Sequence, residues 1–355
     1  MRGTGGTSSD RGAWHRGRRA RRLVSSALIA LAAFAGAPDV AHADEGGLSF
    51  WLPGLFGSLA AVPGHPGWGF VSIYLHPFAT ASANTTFFRG GRFVAGVKGT
   101  GDLVAYGPSY TFETPVLGGQ FSLSLFNVAG RSTASISASL TGPRGNTISG
   151  TASQSLTSLG DLLPQASIKW NEGVHNFMVY GTGDIPVGDY NSNRLANLGL
   201  GHGAMDGGGG YTYFNPTTGI EFSAVTGLTY NFQNPSTKYK NGIDAHLDWG
   251  ASYFLTKQFH FGVVGYYFQQ ITGDSGTGAN LGDFKSRVAG IGPQIGYLFP
   301  VGDKVQGYIN VKAYKEFFAK NRAEGWNFWV TVSLSAAGPP EAAQAAQLIS
   351  KAGDR

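Results

Sequence analysis

Three ionisable side chains stand at alternate positions in Asp244-x-His246-x-Asp248. That spacing invites two chemical readings, a metal site or part of a catalytic triad. On a β-strand all three would point to one side, roughly 7 Å apart per repeat. A metal needs donors that converge, so a ligand from a second strand would be required, and no partner is evident in the sequence. Gly207 to Gly210 lacks the lysine and the following helix of a phosphate loop. No Gly-x-Ser-x-Gly occurs. With no cysteine in the chain, thiol catalysis, thiolate metal sites and disulfides are excluded. Asp274 and Asp283 lie among Gly and Ser in ITGDSGTGANLGDF (271–284), which suits an external loop. No nucleophile–base pair can be named, so a hydrolase reading has no support, and the sequence predicts no catalytic residue, no metal and no cofactor.

The elements that would carry these residues explain them better. Ile243, Ala245, Leu247, Trp249, Ala251, Tyr253 and Leu255 alternate with Asp244, His246, Asp248, Gly250 and Ser252. A period of two with one apolar and one polar face is a β-strand between unlike surroundings. The pattern returns where Val305, Gly307, Ile309, Val311 and Ala313 alternate with Gln306, Tyr308, Asn310, Lys312, Tyr314 and Glu316. It returns again where Trp326, Phe328, Val330, Val332 and Leu334 alternate with polar neighbours. These runs are long, about 11–14 residues, where soluble strands favour about 5–6. A tilted strand crossing a bilayer needs roughly 9–11. The chain has 355 residues with 55 Gly, 13% aromatic and 13% charged, a balance that suits a barrel with aromatic girdles. An all-β sandwich shares the periodicity, but not the strand length or the loop asymmetry described next.

Strands are predicted near 68–79, 101–114, 119–129, 161–171, 174–185, 203–214, 217–232, 243–255, 258–271, 285–299, 303–318 and 324–335. Tight connections such as Glu172-Gly173, Asn215-Pro216 and Pro300-Val301-Gly302 alternate with long ones at 80–100, 130–160, 186–202, 233–242 and 272–284. Short turns toward the periplasm and long loops outward are the outer-membrane arrangement. The expected fold is therefore all-β, a transmembrane antiparallel up-and-down barrel of about 12 strands (10–14) over residues 68–335, with both termini periplasmic. Residues 131–158 are Ser/Thr/Ala-rich and alternate, so they form either an extra hairpin, giving about 14 strands, or an external loop. Phe88 to Lys98 can pair as a further short strand.

Placing charges in lipid costs up to about 2–4 kcal/mol each near the midplane, and this sets the phase of the strands. Ile220, Phe222, Leu228, Tyr230 and Phe232 are predicted to face lipid, as are Ile291, Ile295, Tyr297 and Phe299. Glu221, Asp244, His246, Asp248, Gln294, Gln306, Asn310, Lys312, Tyr314 and Glu316 are then the lumen-lining candidates, with Lys169 beside them. They are either the lining of a solute pathway or an ion-pair network that holds a narrow interior shut.

The two ends read differently. RGRRARR (16–22) is a positive region, LVSSALIALAAFAGA (23–37) an apolar core too short to span, and Ala41-His42-Ala43 a small-x-small cleavage site. Residues 1–43 are predicted to be a signal peptide. Paired arginines also occur in twin-arginine signals, but a barrel crosses the inner membrane unfolded. Seven of the 26 basic and two of the 21 acidic residues precede residue 44. The remainder is balanced at 19 each, so the overall charge of +5 gives no support for nucleic-acid binding. Residues 44–67 carry several Pro and Gly. They form either a periplasmic arm or a plug in the barrel mouth, with Phe50, Trp51 and Phe56 inward. After Ser335, Gly338-Pro339-Pro340 stops the pattern, and 336–355 is an Ala-rich tail without the terminal aromatic common in such barrels.

The stretches LANLGLGHGAMD (195–206), TGIEFSAVTGLTYNFQNPSTKY (218–239), HLDWGASYFLTKQ (246–258), 264–301 and EGWNFWVTVSLS (324–335), together with SFWLPGLFGSLAAVPGHPG (49–67), resemble the MetA-pathway of phenol degradation family. The resemblance covers nearly all of the chain after residue 43. It implies a Gram-negative outer-membrane barrel, often encoded with aromatic-degradation genes, and a transporter role for small hydrophobic or aromatic compounds. The partners it implies are outer-membrane lipid, such solutes and the barrel-assembly machinery, with the chain a monomer. The family supplies no binding residues to carry over. The expected function is a channel for passive uptake; the alternative is a surface-interaction barrel with a closed lumen.

Overall fold

The computed structural model describes residues 50–80, 86–89, 92–95, 97–141, 147–279 and 285–338. The predicted signal peptide (1–43), residues 44–49 and most of the C-terminal tail lie outside the described residues, as does Asp283. The strands are β1 (Gly67–Thr80), β2 (Thr86–Arg89), β3 (Arg92–Ala95), β4 (Val97–Thr111), β5 (Gln120–Thr141), β6 (Thr147–Glu172), β7 (His175–Asp184), β8 (Ala204–Asn215), β9 (Ile220–Asn231), β10 (Asp244–Phe254), β11 (Phe259–Gln270), β12 (Arg287–Val301), β13 (Val305–Lys320) and β14 (Glu324–Ala336). Twelve of them, β1 and β4 to β14, form a closed barrel. Every neighbour pairs antiparallel, and β1 closes the ring on β14, with Phe70 opposite Leu334 and Thr80 opposite Glu324. Closure leaves no unpaired edge, the condition for a sheet to sit in lipid.

The alternation places the faces as the charge cost requires. Along β9, Ile220, Phe222, Leu228 and Tyr230 point outward and are exposed, while Glu221, Ser223, Thr229 and Asn231 are buried. Along β12, Ile291, Ile295 and Tyr297 face out and Gln294 faces in. Trp68, Tyr110, Phe112 and Phe121 stack edge or face along the short-turn end of β1, β4 and β5. Aromatic rings at that level belong to the interfacial girdle.

Residues 131–141 and 147–158 are neither a loop nor an added pair of staves. β5 and β6 simply continue, pairing from Gln120–Lys169 to Thr141–Thr147, so the count stays at twelve. Ser and Thr on both sides of this ribbon suit water rather than lipid, which is why no face could be assigned from alternation. The short strand expected after Phe88 is one arm of the β2–β3 hairpin, which lies between β1 and β4 and outside the ring.

One irregularity bears on later sections. β12 and β13 pair Arg287 with Lys320 and Ala289 with Phe317, so β13 holds one extra residue there. The extra residue is accommodated at Phe318, whose φ of 63° is left-handed. A β-bulge of this kind reverses the side of the residues beyond it.

Candidate functional site

Residues 51–62 run inside the barrel, descending from the middle of the lumen to the short-turn end, where Gly67 begins β1. The Trp51 ring stacks on the His246 ring at 3.7 Å and lies 5.9 Å from Tyr180. Phe56 is half-buried with its ring 5.7 Å from Tyr180. Phe50 is half-buried too.

The wall grips the main chain of this segment. The Asp248 carboxylate accepts the Gly54 amide at 2.9 Å and the Phe56 amide at 3.1 Å. From β13, three strands round the ring, Lys312 Nζ donates to the Gly54 carbonyl at 2.6 Å and the Leu55 carbonyl at 2.9 Å. Tyr314 OH donates to the Gly54 carbonyl at 3.2 Å. Further down, Gln294 Nε2 donates to Ser58 Oγ at 2.7 Å, and Ser58 also meets Ser252 at 2.8 Å. Glu221 Oε1 accepts the Leu59 amide at 2.9 Å. Thr212 Oγ1 accepts the Ala61 amide at 3.0 Å, and Lys169 Nζ donates to the Val62 carbonyl at 3.3 Å. The backbone must bend to offer these groups. Leu59 takes a φ of 64° and Gly54 one of 93°, and a Cβ on Gly54 would sit 3.0 Å from the Tyr314 ring. Left-handed φ at a non-glycine residue costs free energy and persists where the surroundings hold it.

The other candidate residues form two wall clusters. Asp206 on β8 accepts Tyr180 OH at 2.8 Å and faces His246 Nε2 at 2.9 Å. Asp244 is bound by Asn231 Nδ2 at 2.9 Å. Asp244, His246 and Asp248 therefore share a face but turn to three separate partners, and among the described residues no group of three His, Asp or Glu converges. Further round the ring, on β11 and β13, Glu316 accepts Tyr266 OH and the Gly325 amide, each at 2.8 Å, with Arg322 Nη2 at 4.0 Å. Asn310 Nδ2 lies 3.1 Å from the Ile295 carbonyl and 3.5 Å from Gln294 Oε1. Gln306 is half-buried near the short-turn end.

Sequence reasoning missed Asp206, Tyr180 and Thr212. Asp206 was detectable: Met205 and Asp206 alternate, and an outward Met205 forces its neighbour inward. Tyr180 was not, because its ring fits only over Gly227, where a Cβ would lie 2.3 Å from its hydroxyl. That fit depends on two strands at once.

A closed twelve-stranded antiparallel barrel with an apolar outer band, an aromatic girdle and a polar interior defines a bacterial outer-membrane β-barrel. The family model described as Putative MetA-pathway of phenol degradation matches residues 83–332, and the chain belongs to that family. Among solved structures, an outer-membrane channel from Pseudomonas putida F1 is similar with a TM-score of 0.58 at 13% identity, covering 77% of this chain and 96% of the channel. A Pseudomonas aeruginosa FadL homologue gives 0.40 at 14% identity, covering 78% and 76%. At 13% identity the likeness to the channel is one of fold. No curated protein matches in sequence.

Proposed function

We propose that this barrel is an outer-membrane channel for passive uptake of small hydrophobic or aromatic compounds, with residues 44–67 as its plug. One observation carries the reading. The lumen is filled by a chain segment held through non-covalent bonds from β6, β8, β9, β10, β12 and β13. A filler of this kind can leave without breaking the wall. The solute class is supported by the family to which the chain belongs and by the buried rings of Trp51, Tyr180, Tyr266, Tyr314 and Trp329, which offer flat apolar surface amid polar groups.

On this reading residues 1–43 are removed at export, the mature chain is a monomer inserted by the barrel-assembly machinery, and solutes pass without energy coupling or chemistry. The lumen acids, Lys312 and His246 then hold the plug and the wall together rather than act on a substrate. The number of those contacts favours a second reading, a surface-interaction barrel that never opens. Phenol entry into vesicles, with and without the protein, separates the two. Faster entry supports the channel; entry equal to that of empty vesicles, for both the natural protein and a variant with a loosened plug, leaves the closed barrel.

A further inference from the structure

The outer face carries a second arrangement, independent of what the lumen does. Arg287, Lys315 and Lys320 stand together on β12 and β13, with Lys285 just before β12. Arg287 pairs with Lys320 across the strands, Ile291 with Lys315, and Lys315 with Trp326. The Arg287 guanidinium lies over the Phe318 ring at 4.0 Å and Lys315 Nζ over the Trp326 ring at 5.2 Å. Phe317, Phe318 and Trp326 are all exposed to the membrane side.

The level of this patch follows from strand length. Val305 to Lys315 is ten positions, and so is Ala336 to Trp326, the roughly 9–11 that a tilted strand needs to cross. Lys315 therefore sits where the outer leaflet meets water, on the long-loop side, and Arg287 and Lys320 follow four and five positions further along their strands. The bulge at Phe318 builds the patch. Below it, even-numbered residues of β13 point inward, Lys312, Tyr314 and Glu316 among them. Without the extra residue Lys320 would also point into the lumen. The left-handed φ at Phe318 turns Phe318 and Lys320 outward, beside Lys315 and Arg287. Arg322 instead points inward to Glu316. Glu324 is the one outward carboxylate among the described residues of β12–β14, against four cations, and it lies near the Ala319 amide at 3.4 Å. Arg287 Nε is buried and has no hydrogen-bond partner among the described residues.

From this we infer that the β12–β13–β14 outer rim is a binding site for a phosphate-bearing glycolipid of the outer leaflet. Guanidinium and ammonium groups bind phosphate oxygens through charge-assisted bonds. The aromatic rings between them offer the flat apolar surface on which acyl chains lie, and they hold the cations in place. Clusters of Lys and Arg at a membrane surface recruit anionic headgroups in this way.

The test is binding of fluorescent diphosphoryl lipid A to the detergent-solubilised protein. Three comparisons are needed: the same lipid with both phosphates removed, competition by inorganic phosphate, and the triple substitution Arg287→Gln, Lys315→Gln, Lys320→Gln. The site predicts at least tenfold weaker binding of the dephosphorylated lipid and of the triple variant, and no competition from millimolar inorganic phosphate. Lys257→Gln with Lys304→Gln, in the short turns at the other end, should bind as the natural protein does. Should the triple variant fail to show the mobility shift of a folded barrel on unheated gels, Lys320→Glu alone, at an exposed strand end, should still weaken binding about threefold. Equal binding by the folded triple variant or by Lys320→Glu, equal binding of the dephosphorylated lipid, displacement by inorganic phosphate, or an equal loss in the short-turn control would each overturn the inference.

Discussion

Replacing Lys312 by Met keeps the buried stem and removes the ammonium. Two charged bonds to the Gly54 and Leu55 carbonyls go with it, at 2.6 and 2.9 Å. A hydrogen bond involving a charged group contributes about 1.5–3 kcal/mol. The two share one donor and one turn of chain, so their sum is not additive, and about 3 kcal/mol is a fair figure for the pair. At roughly 1.4 kcal/mol per tenfold change, the ratio of released to seated segment rises about a hundredfold. If the seated form dominates by about 10⁴ to one, the released population grows from about 0.01% to about 1%. Such a change is readable in planar bilayers as more frequent openings with unchanged step size. It is readable in proteolysis as faster cleavage near Leu52, the exposed residue ahead of the clamp. Lys169→Met is the internal control, because its bond to the Val62 carbonyl is longer, at 3.3 Å, and its effect should be several times smaller. The reasoning fails if Lys312→Met folds with the heat-dependent gel mobility of the natural barrel yet matches it in both opening frequency and cleavage rate.

Further outcomes follow from the wall itself. Leu228→Lys puts a charge on the lipid face of β9, where Leu228 is 53% exposed; folding into vesicles should weaken by about 2–4 kcal/mol, read from urea titration. Gly227→Ala places a methyl 2.3 Å from Tyr180 Oη and 2.8 Å from His246 Nε2. It should therefore separate Tyr180 from Asp206 and lower the urea midpoint, whereas Gly207→Ala, with no atom nearer than 3.6 Å to the new methyl, should be close to neutral. In the loop after β7, the bond from Arg194 holds the Asp189 carboxyl below its ordinary range. A lowered folded-state value means the contact stabilises the loop above the ordinary carboxylate range and is lost as pH falls through the folded value. Cleavage between residues 185 and 203 should therefore quicken on acidification through the ordinary carboxylate range in the natural protein, and at neutral pH be faster in Asp189→Asn than in the natural protein.

The parts legible beforehand were those where lipid imposes a two-residue rhythm. Ile220 to Asn231 and Asp244 to Phe254 alternate without a break, because every second side chain meets hydrocarbon. The Ser/Thr ribbon at the end of β5 and the start of β6 has only a weak apolar face in its sequence, so a paired extension of those strands could not be told from an external loop. The bulge at Phe318 was hidden for a different reason: a slip of one residue shows only in the pairing of two strands. The inward acids were identifiable singly. Their bonding to Gly54, Phe56 and Leu59 was not, since partners separated by more than 150 positions meet only after the ring closes.

The contacts that hold residues 54–62 are addressed almost wholly to amides and carbonyls, which every amino acid carries. Toward this segment Asp248, Lys312, Glu221, Thr212 and Lys169 bond main-chain groups, so their hydrogen bonds do not read the side chains of Leu55, Leu59, Ala61 or Val62. The hydrogen bonds therefore fix the path of this stretch, while packing limits its side chains, since Ala61 is fully buried and Phe56 lies against Tyr180. Gly54, whose left-handed backbone lies under the Tyr314 ring, admits no other residue without displacement, and Leu59 holds a left-handed φ as well. The barrel recognises a trajectory rather than a motif.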